Sequence, residues 1–389
     1  MPVRIITKEQ CNALVKSVDK KPIKKTELNG LYKQLIKECN QLYGNKTSIQ
    51  KAVMDSLKLT LGKVDTIETR VHNLKVMRKY LSMISPCIVS SNLTSNMLAL
   101  VKNDKGIFHD KIYFNKQIGS ESAYGVAYLN TGVDNGSRLV FSAKITTDKN
   151  KNEMDLLKKM SNAVQNHVTP NFPVIYKILH CKNVKEKKHN SYIDIRGIND
   201  IIKNSRYYVV LNELASGDLF HFLEKMKHSE IEYESVIFQV FIALRTFHIQ
   251  TNHIHNDAHY GNFLYHKIDK GGYWHYRYNK TDIYVPNTGY LLVVWDPGLA
   301  RKIEPNTEYM PYIDYYRIYS ILKDVIHTEH IQLSEDFLNS IFLLVKYISE
   351  NPNDVNAIMK YLEKKPKFKN ILFAPPLNSR IINATPYYL

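Results

Sequence analysis

The residues best suited to chemistry stand in His253-Ile254-His255-Asn256-Asp257-Ala258-His259-Tyr260-Gly261-Asn262-Phe263-Leu264. Asp257 is followed shortly by Asn262, with apolar residues on either side. Further on, Leu291-Leu292-Val293-Val294-Trp295-Asp296-Pro297-Gly298 reads as an apolar strand ending in Asp-x-Gly. A carboxylate, an amide and a second carboxylate in this order suit phosphoryl transfer. Asp257 can orient an acceptor hydroxyl, while Asn262 and Asp296 offer hard oxygen ligands to a metal on nucleotide phosphates. Either motif alone also fits an ordinary polar turn, so the weight rests on what precedes them.

Such a site needs a phosphate cradle, a cation and a buried support, and the upstream chain offers these in order. Lys111 to Gly119 is apolar and β-prone, Ser120 to Gly125 reads as a turn, and Val126 to Leu129 reads as a second strand. A polar turn with Gly132 and Gly136 leads into a third strand, Arg138 to Ile145. Backbone N–H groups in a turn can lie over phosphates, and Gly119 and Gly125 permit close approach, although an ordinary hairpin has the same pattern. Lys144 ends its apolar strand, where a charge needs a partner. It has the form of a strand lysine that contacts the α and β phosphates. Glu153, on a helix-like pattern with Leu156, Leu157 and Met160, is the expected partner. The competing reading of Glu153 is a solvated first-turn acid favoured by the helix dipole. Tyr207 to Leu211 is a strand running into Asn212-Glu213-Leu214-Ala215, the shape of a linker between two lobes. Lys182 to Asn204 is charged and reads as an exposed insertion, and Ser235 to Gln250 as an apolar helix supporting the Asp257 loop.

The flanks carry no such pattern. Residues 1 to about 105 read mainly as helix, with Leu28, Leu31, Leu35, Cys39 and Leu42 at helical spacing. Further helices are expected from about Ser48 to Leu61 and from about Thr66 to Ser85, with Asp65 as a cap and Pro86 closing the last. Beyond Asp314, helices are expected over Val325 to Leu344 and Asn353 to Leu362, followed by an extended tail from Pro375. Gly271-Gly272-Tyr273-Trp274-His275-Tyr276 reads as an added hairpin.

Composition sets the bounds. The 389 residues suggest two or three domains, and 44% hydrophobic with 23% charged residues is ordinary globular usage. The net charge of +16 admits a nucleic-acid, membrane-surface or acidic partner. Compositional drift explains it more simply, because Lys greatly outweighs Arg and Asn, Ile and Tyr abound. The 4 cysteines, Cys11, Cys39, Cys87 and Cys181, are too scattered for a zinc knuckle or a disulfide framework. Neither a secretory leader nor a membrane span is expected. His248, His253, His255, His259, His266 and His275 lie close in sequence, but no His-Glu-x-x-His occurs. A zinc site is therefore the weaker reading of the loop, and His255 reads as a structural histidine bonding backbone.

With these residues in order, Lys111 to Lys323 resembles a protein-kinase-like fold. It is similar to the Ser/Thr protein kinases of large nucleocytoplasmic DNA viruses, whose catalytic loops carry Asn-Asp-x-His-x-Gly-Asn. The resemblance implies an α+β, two-lobed fold: a helical N-terminal extension (1–105), a β-rich N-lobe with linker (106–215) and a helical C-lobe with an abbreviated end (216–389). It implies Asp257 as catalytic, Asn262 and Asp296 as metal ligands, and Lys144, paired with Glu153, on the phosphates. Gly119 and Gly125 would cover the nucleotide, while Glu213 and Ala215 would meet adenine through backbone groups. Asp314 resembles the helix Asp that supports the catalytic loop. ATP and Mg²⁺ would be the cofactors and Ser or Thr of proteins the acceptor, acidic or virion proteins included, with nucleic acid not the main partner. The location implied is host cytoplasm or the virion.

Several positions depart from the pattern. Asn256 replaces the usual Arg, Pro297 the usual Phe, and no Ala-Pro-Glu follows Gly298. His259 stands where Ser/Thr kinases carry Lys, a form shared with choline and aminoglycoside kinases. A small-molecule kinase and a non-catalytic kinase-like scaffold therefore remain as alternatives.

Overall fold

A computed structural model describes residues 64, 66–81, 84–91, 97–102, 111–122, 125–134, 137–147, 151–182, 206–225, 228–304, 310–326, 334–364 and 370–389. The expected helices before residue 62, the expected cap Asp65 and the insertion between 183 and 204 lie outside them. The architecture is mixed α+β. The chain divides into two compact units.

Among the described residues, the first unit comprises 73–149 and 176–214. Its seven strands are β1 (Ile84–Ser91), β2 (Met97–Lys102), β3 (Lys111–Ser122), β4 (Gly125–Asp134), β5 (Ser137–Thr147), β6 (Ile175–Lys182) and β7 (Arg206–Asn212). They form one sheet in the order β1-β2-β3-β4-β5-β7-β6, antiparallel from β1 through β5 and between β5 and β7. Phe141 through Thr146 are all buried, as expected of a strand in mid-sheet that is covered on both faces. Strands β1 and β2 correct the reading of this stretch as the end of a helical segment. Helix α1 (Ile67–Leu81) stops short of Ser85. Pro86 then lies in the edge strand β1, where the register with β2 is broken between Ile84 and Ile88. A residue without an N–H is tolerated in such a place.

The second unit comprises Lys63–His72, Asn150–Ile175 and Ala215–Leu389. Its helices are α2 (Lys151–Gln165), α3 (Leu219–Lys225), α4 (Glu230–Thr251), α5 (Tyr312–Ile326), α6 (Glu335–Glu350) and α7 (Ala357–Lys364). Helix α2 groups with the second unit. The helices after Asp314 also differ from expectation: α5 ends at Ile326, and α6 starts at Glu335, capped by Ser334, whose hydroxyl accepts from Phe337 N at 3.2 Å.

Helix α4 is the spine of this unit. Its run from Tyr233 to His248 is wholly buried, so apolar residues occupy every face. Glu232 Oε2 accepts from Ser229 N at 2.9 Å and closes the first turn. Asn252, at φ +57°, ends the helix by donating its N–H to His248 O. The chain is thereby turned straight into β9 (His253–Ile254) and the Asp257 loop.

Strand β10 (Phe263–Lys267) pairs antiparallel with β13 (Tyr290–Val294) and with the short β8 (Gly217–Asp218). The hairpin expected near Gly271 is β11 (Tyr273–Tyr278) with β12 (Thr281–Pro286). Its buried Tyr276 donates to Asn171 Oδ1 at 3.0 Å, and Asn171 Nδ2 donates to Leu292 O of β13 at 2.8 Å. The added hairpin is thus tied to the strand that delivers Asp296. Strand β15 (Tyr387–Tyr388) runs parallel to β11, and β14 (Arg301–Lys302) pairs with β9.

Candidate active site

The β10–β13 pairing decides the geometry. Phe263 faces Val294 in register, so Asn262 and Asp296 leave adjacent strand ends. Trp295 N donates to Asn262 O at 2.7 Å and fixes that juncture. Asn262 Nδ2 donates to Asp257 O at 2.9 Å and to Asp257 Oδ2 at 3.0 Å. Both amide hydrogens are thereby used, and Asn262 Oδ1 is left as the acceptor available to a cation.

The loop is held from beneath by Asp314 of α5, which is fully buried. Its Oδ2 accepts from His255 N at 2.6 Å and from His248 Nε2 at 2.8 Å, and its Oδ1 accepts from Asn256 N at 2.9 Å. An ionised carboxylate only accepts, so His248 must carry its proton on Nε2. Burial penalises the Asp314 charge, but the His248 hydrogen bond, the fields of His248 and His255 and the His255 N–H outweigh it, and its pKa lies below the usual carboxylate range. His255 Nε2 in turn bonds Trp295 O at 2.7 Å, the structural role expected of it. Asn256 takes φ +61°, a conformation asparagine tolerates, and its Nδ2 donates to Leu299 O at 3.2 Å. Arg317 donates to Asn256 O.

His259 adds a detail the sequence pattern did not reveal. Its Nδ1 accepts from Gly261 N at 3.1 Å, so the neutral ring carries its proton on Nε2. That nitrogen lies 3.6 Å from Asp257 Oδ2. A Cβ at Gly261 would come within 2.9 Å of the ring, so glycine is what lets the imidazole sit there. Interaction with His259 lowers the Asp257 pKa, helped by Asn262, and the same contact raises that of His259.

Asp296 is left-handed at φ +55° and starts the short 3₁₀ turn Pro297–Leu299. Glu153 of α2 is buried at 1% exposure, which rules out the solvated first-turn reading. A Cβ at Gly298 would lie 3.2 Å from Asp296 Oδ1 and 3.3 Å from Glu153 Oε2. Both carboxylates therefore converge on the Asp-Pro-Gly turn. Asn262 and Asp296 supply one amide and one carboxylate oxygen. That is a hard, incomplete set of the kind Mg²⁺ accepts when phosphates and water complete its shell. Among the described residues, no group of three or more His, Cys, Asp or Glu side chains could hold a metal.

In the first unit, Lys144 lies in β5 opposite Ala127 and Val210 and is buried. Gly125 makes room for it: a Cβ there would meet Ile145 O at 2.7 Å and Lys144 Cε at 3.1 Å. Gly119 closes the strand expected over Lys111 to Gly119, but β3 runs on to Ser122, so Gly119 falls inside it, where the register breaks between Ile118 and Ser122. Glu213 and Ala215 follow β7, and the division between units falls at Leu214 and Ala215.

No known protein-family profile matches the chain. Over 105 residues it is 30% identical to the frog virus 3 (isolate Goorha) protein named "Putative serine/threonine-protein kinase 019R". The match covers 26% of this chain and 12% of that protein, so the chain spans about an eighth of the relative's length. Similarity to a kinase-named viral protein thus extends over about a quarter of the chain.

Proposed function

We propose that the protein is an Mg²⁺- and ATP-dependent phosphotransferase of two-lobed, protein-kinase-like build, transferring the γ-phosphoryl group to Ser or Thr of proteins. The observation that carries this reading is the joined set Asp314, Asp257, Asn262 and Asp296. A buried carboxylate holds the loop backbone, the loop presents an ionised carboxylate, and an amide oxygen and a second carboxylate lie on neighbouring strand ends. Asp257 Oδ2 is held by Asn262, which leaves Oδ1 to orient an acceptor hydroxyl. Mg²⁺, held by Asn262 and Asp296, would supply charge neutralisation on the phosphates. Lys144 would meet the phosphates, with Glu153 as partner, and the linker at Glu213 and Ala215 would border the base. Acidic or virion proteins are the acceptors proposed, in the host cytoplasm or the virion, and nucleic acid is not the main partner. Among the described residues no helix is long and apolar enough to cross a membrane.

A second reading, a small-molecule acceptor, is favoured by His259 beside Asp257. A purely structural role is disfavoured by the ordered Asp257–Asn262 pair, since a scaffold has no use for it. Transfer of label from γ-labelled ATP to acidic and basic protein mixtures, choline and aminoglycosides separates the three. Label on protein Ser or Thr is expected. Label only on a small molecule favours the second reading, and no label anywhere favours the third.

A further inference from the structure

The end of strand β7 carries a side-chain network that bears on which base the protein binds. Ser142 and Asn212 are register partners across β5 and β7. Asn212 Nδ2 donates to Ser142 Oγ at 2.7 Å and to Glu213 O at 2.8 Å, and Ser142 Oγ donates to Glu213 O at 2.9 Å. A carbonyl oxygen has two lone pairs, and both of those on Glu213 O are engaged by side chains. The carbonyl expected to receive the amine of adenine is therefore already occupied.

The same network leaves the other end of the amide without a partner. Glu213 O can only accept, so the NH₂ group of Asn212 must face it, and the orientation of the amide is settled. Asn212 Oδ1 is left buried without a hydrogen-bond partner, on a side chain exposed by only 4%. An unpaired buried acceptor is costly, and a ligand donor that reaches it recovers the loss. Oδ1 is shut off from water, so an entering base has to displace what covers it. The bond then forms without competition from solvent.

We propose that Asn212 selects a 6-aminopurine base, accepting the exocyclic amine on Oδ1 in place of the Glu213 carbonyl. This rests on the nucleotide-binding reading above. A 6-oxopurine would set an acceptor against an acceptor and be rejected. A purine without a 6-substituent would bind but lose one hydrogen bond, roughly tenfold in affinity.

The test is calorimetric binding of ATP, inosine triphosphate and purine riboside triphosphate, with Mg²⁺, to the full chain and to Asn212→Leu and Ser142→Ala. The wild type should prefer ATP to the unsubstituted purine by about tenfold and reject inosine triphosphate more strongly. Asn212→Leu should bind ATP and the unsubstituted purine equally, at the wild-type affinity for the latter. Ser142→Ala frees one lone pair of Glu213 O and should not lower the preference, because Asn212 Oδ1 is retained to accept the amine. Undiminished preference in Asn212→Leu overturns the proposal. So does a preference lost in Ser142→Ala, where Asn212 Oδ1 is retained, and that result decides the matter even if the leucine variant does not fold. Binding of all three nucleotides with equal affinity by the wild type refutes the assignment of Asn212 alone. Binding of none refutes the nucleotide-binding reading with it.

Discussion

Replacing Asp314 by asparagine should loosen the Asp257 loop without touching any group that could meet substrate. The carboxylate accepts three hydrogen bonds, from His255 N, Asn256 N and His248 Nε2. Asparagine keeps one acceptor oxygen and sets an NH₂ group against at least one of those donors. Hydrogen bonds to charged groups are worth about 1.5–3 kcal/mol each. Breaking a buried charged pair costs about 3–5 kcal/mol. Loss of about 3 kcal/mol corresponds to at least a hundredfold faster opening of the loop, since each tenfold is about 1.4 kcal/mol. The direct readout is amide hydrogen exchange at His255 and Asn256, whose N–H groups are the donors concerned. Exchange at both should rise by two decades or more, with phosphoryl transfer falling alongside. A change below tenfold would show that Asp314 does not hold the loop. The sign of the pH effect is fixed as well. The folded pKa of Asp314 is lowered, so its contribution is complete above the unfolded carboxylate value of about 3.9 and is lost as pH falls through the lower folded value.

Asp296→Asn should weaken Mg²⁺-ATP binding more than Asp257→Asn does, which equilibrium binding measures directly; the reverse order would exchange the roles assigned to them. Gly125→Ala should destabilise the first unit by about 1–3 kcal/mol in chemical denaturation, because its Cβ meets a backbone oxygen at 2.7 Å. Lys144→Ala should leave the melting temperature within a few degrees yet sharply lower turnover, and equal turnover would put the nucleotide elsewhere. Asp257 is held ionised by its contact with His259, so the acid limb of the rate profile should lie below the ordinary carboxylate range and move up in His259→Leu. An unmoved limb would exclude that coupling. Phosphatase treatment should leave activity intact, because Asn256 already tethers Leu299 and carries no charge to pair with a phosphate.

The Asp257 loop and the Asp296 turn were legible because their residues are close in sequence and flanked by apolar strands and a helix that localise them. Asp314 was legible through the resemblance, and the structure supplies its three donors. His248, the third donor, was not legible: it lies on α4, far from Asp314 in sequence, and nothing in its neighbours sets it apart from any other core histidine. The Ser142–Asn212 pair was hidden for the same reason, since strand register cannot be read from either strand alone. Strands β1 and β2 were read as helix because short apolar runs do not separate the two periods, although Ile88 and Val89 are β-branched and Pro86 opposes helix. The expected first strand ends at Gly119, three residues short of the end of β3, because glycine marks turns and strand irregularities equally well.

Asp257 is proposed to serve phosphoryl transfer from ATP. The most direct test is a comparison of γ-phosphoryl transfer, with Mg²⁺, by the wild-type chain and Asp257→Asn, with ATP binding measured on the same preparations. Transfer by the wild type, its loss in the variant and nearly equal ATP binding by both are expected. Equal transfer by the two proteins, or ATP binding that falls together with transfer, would contradict it.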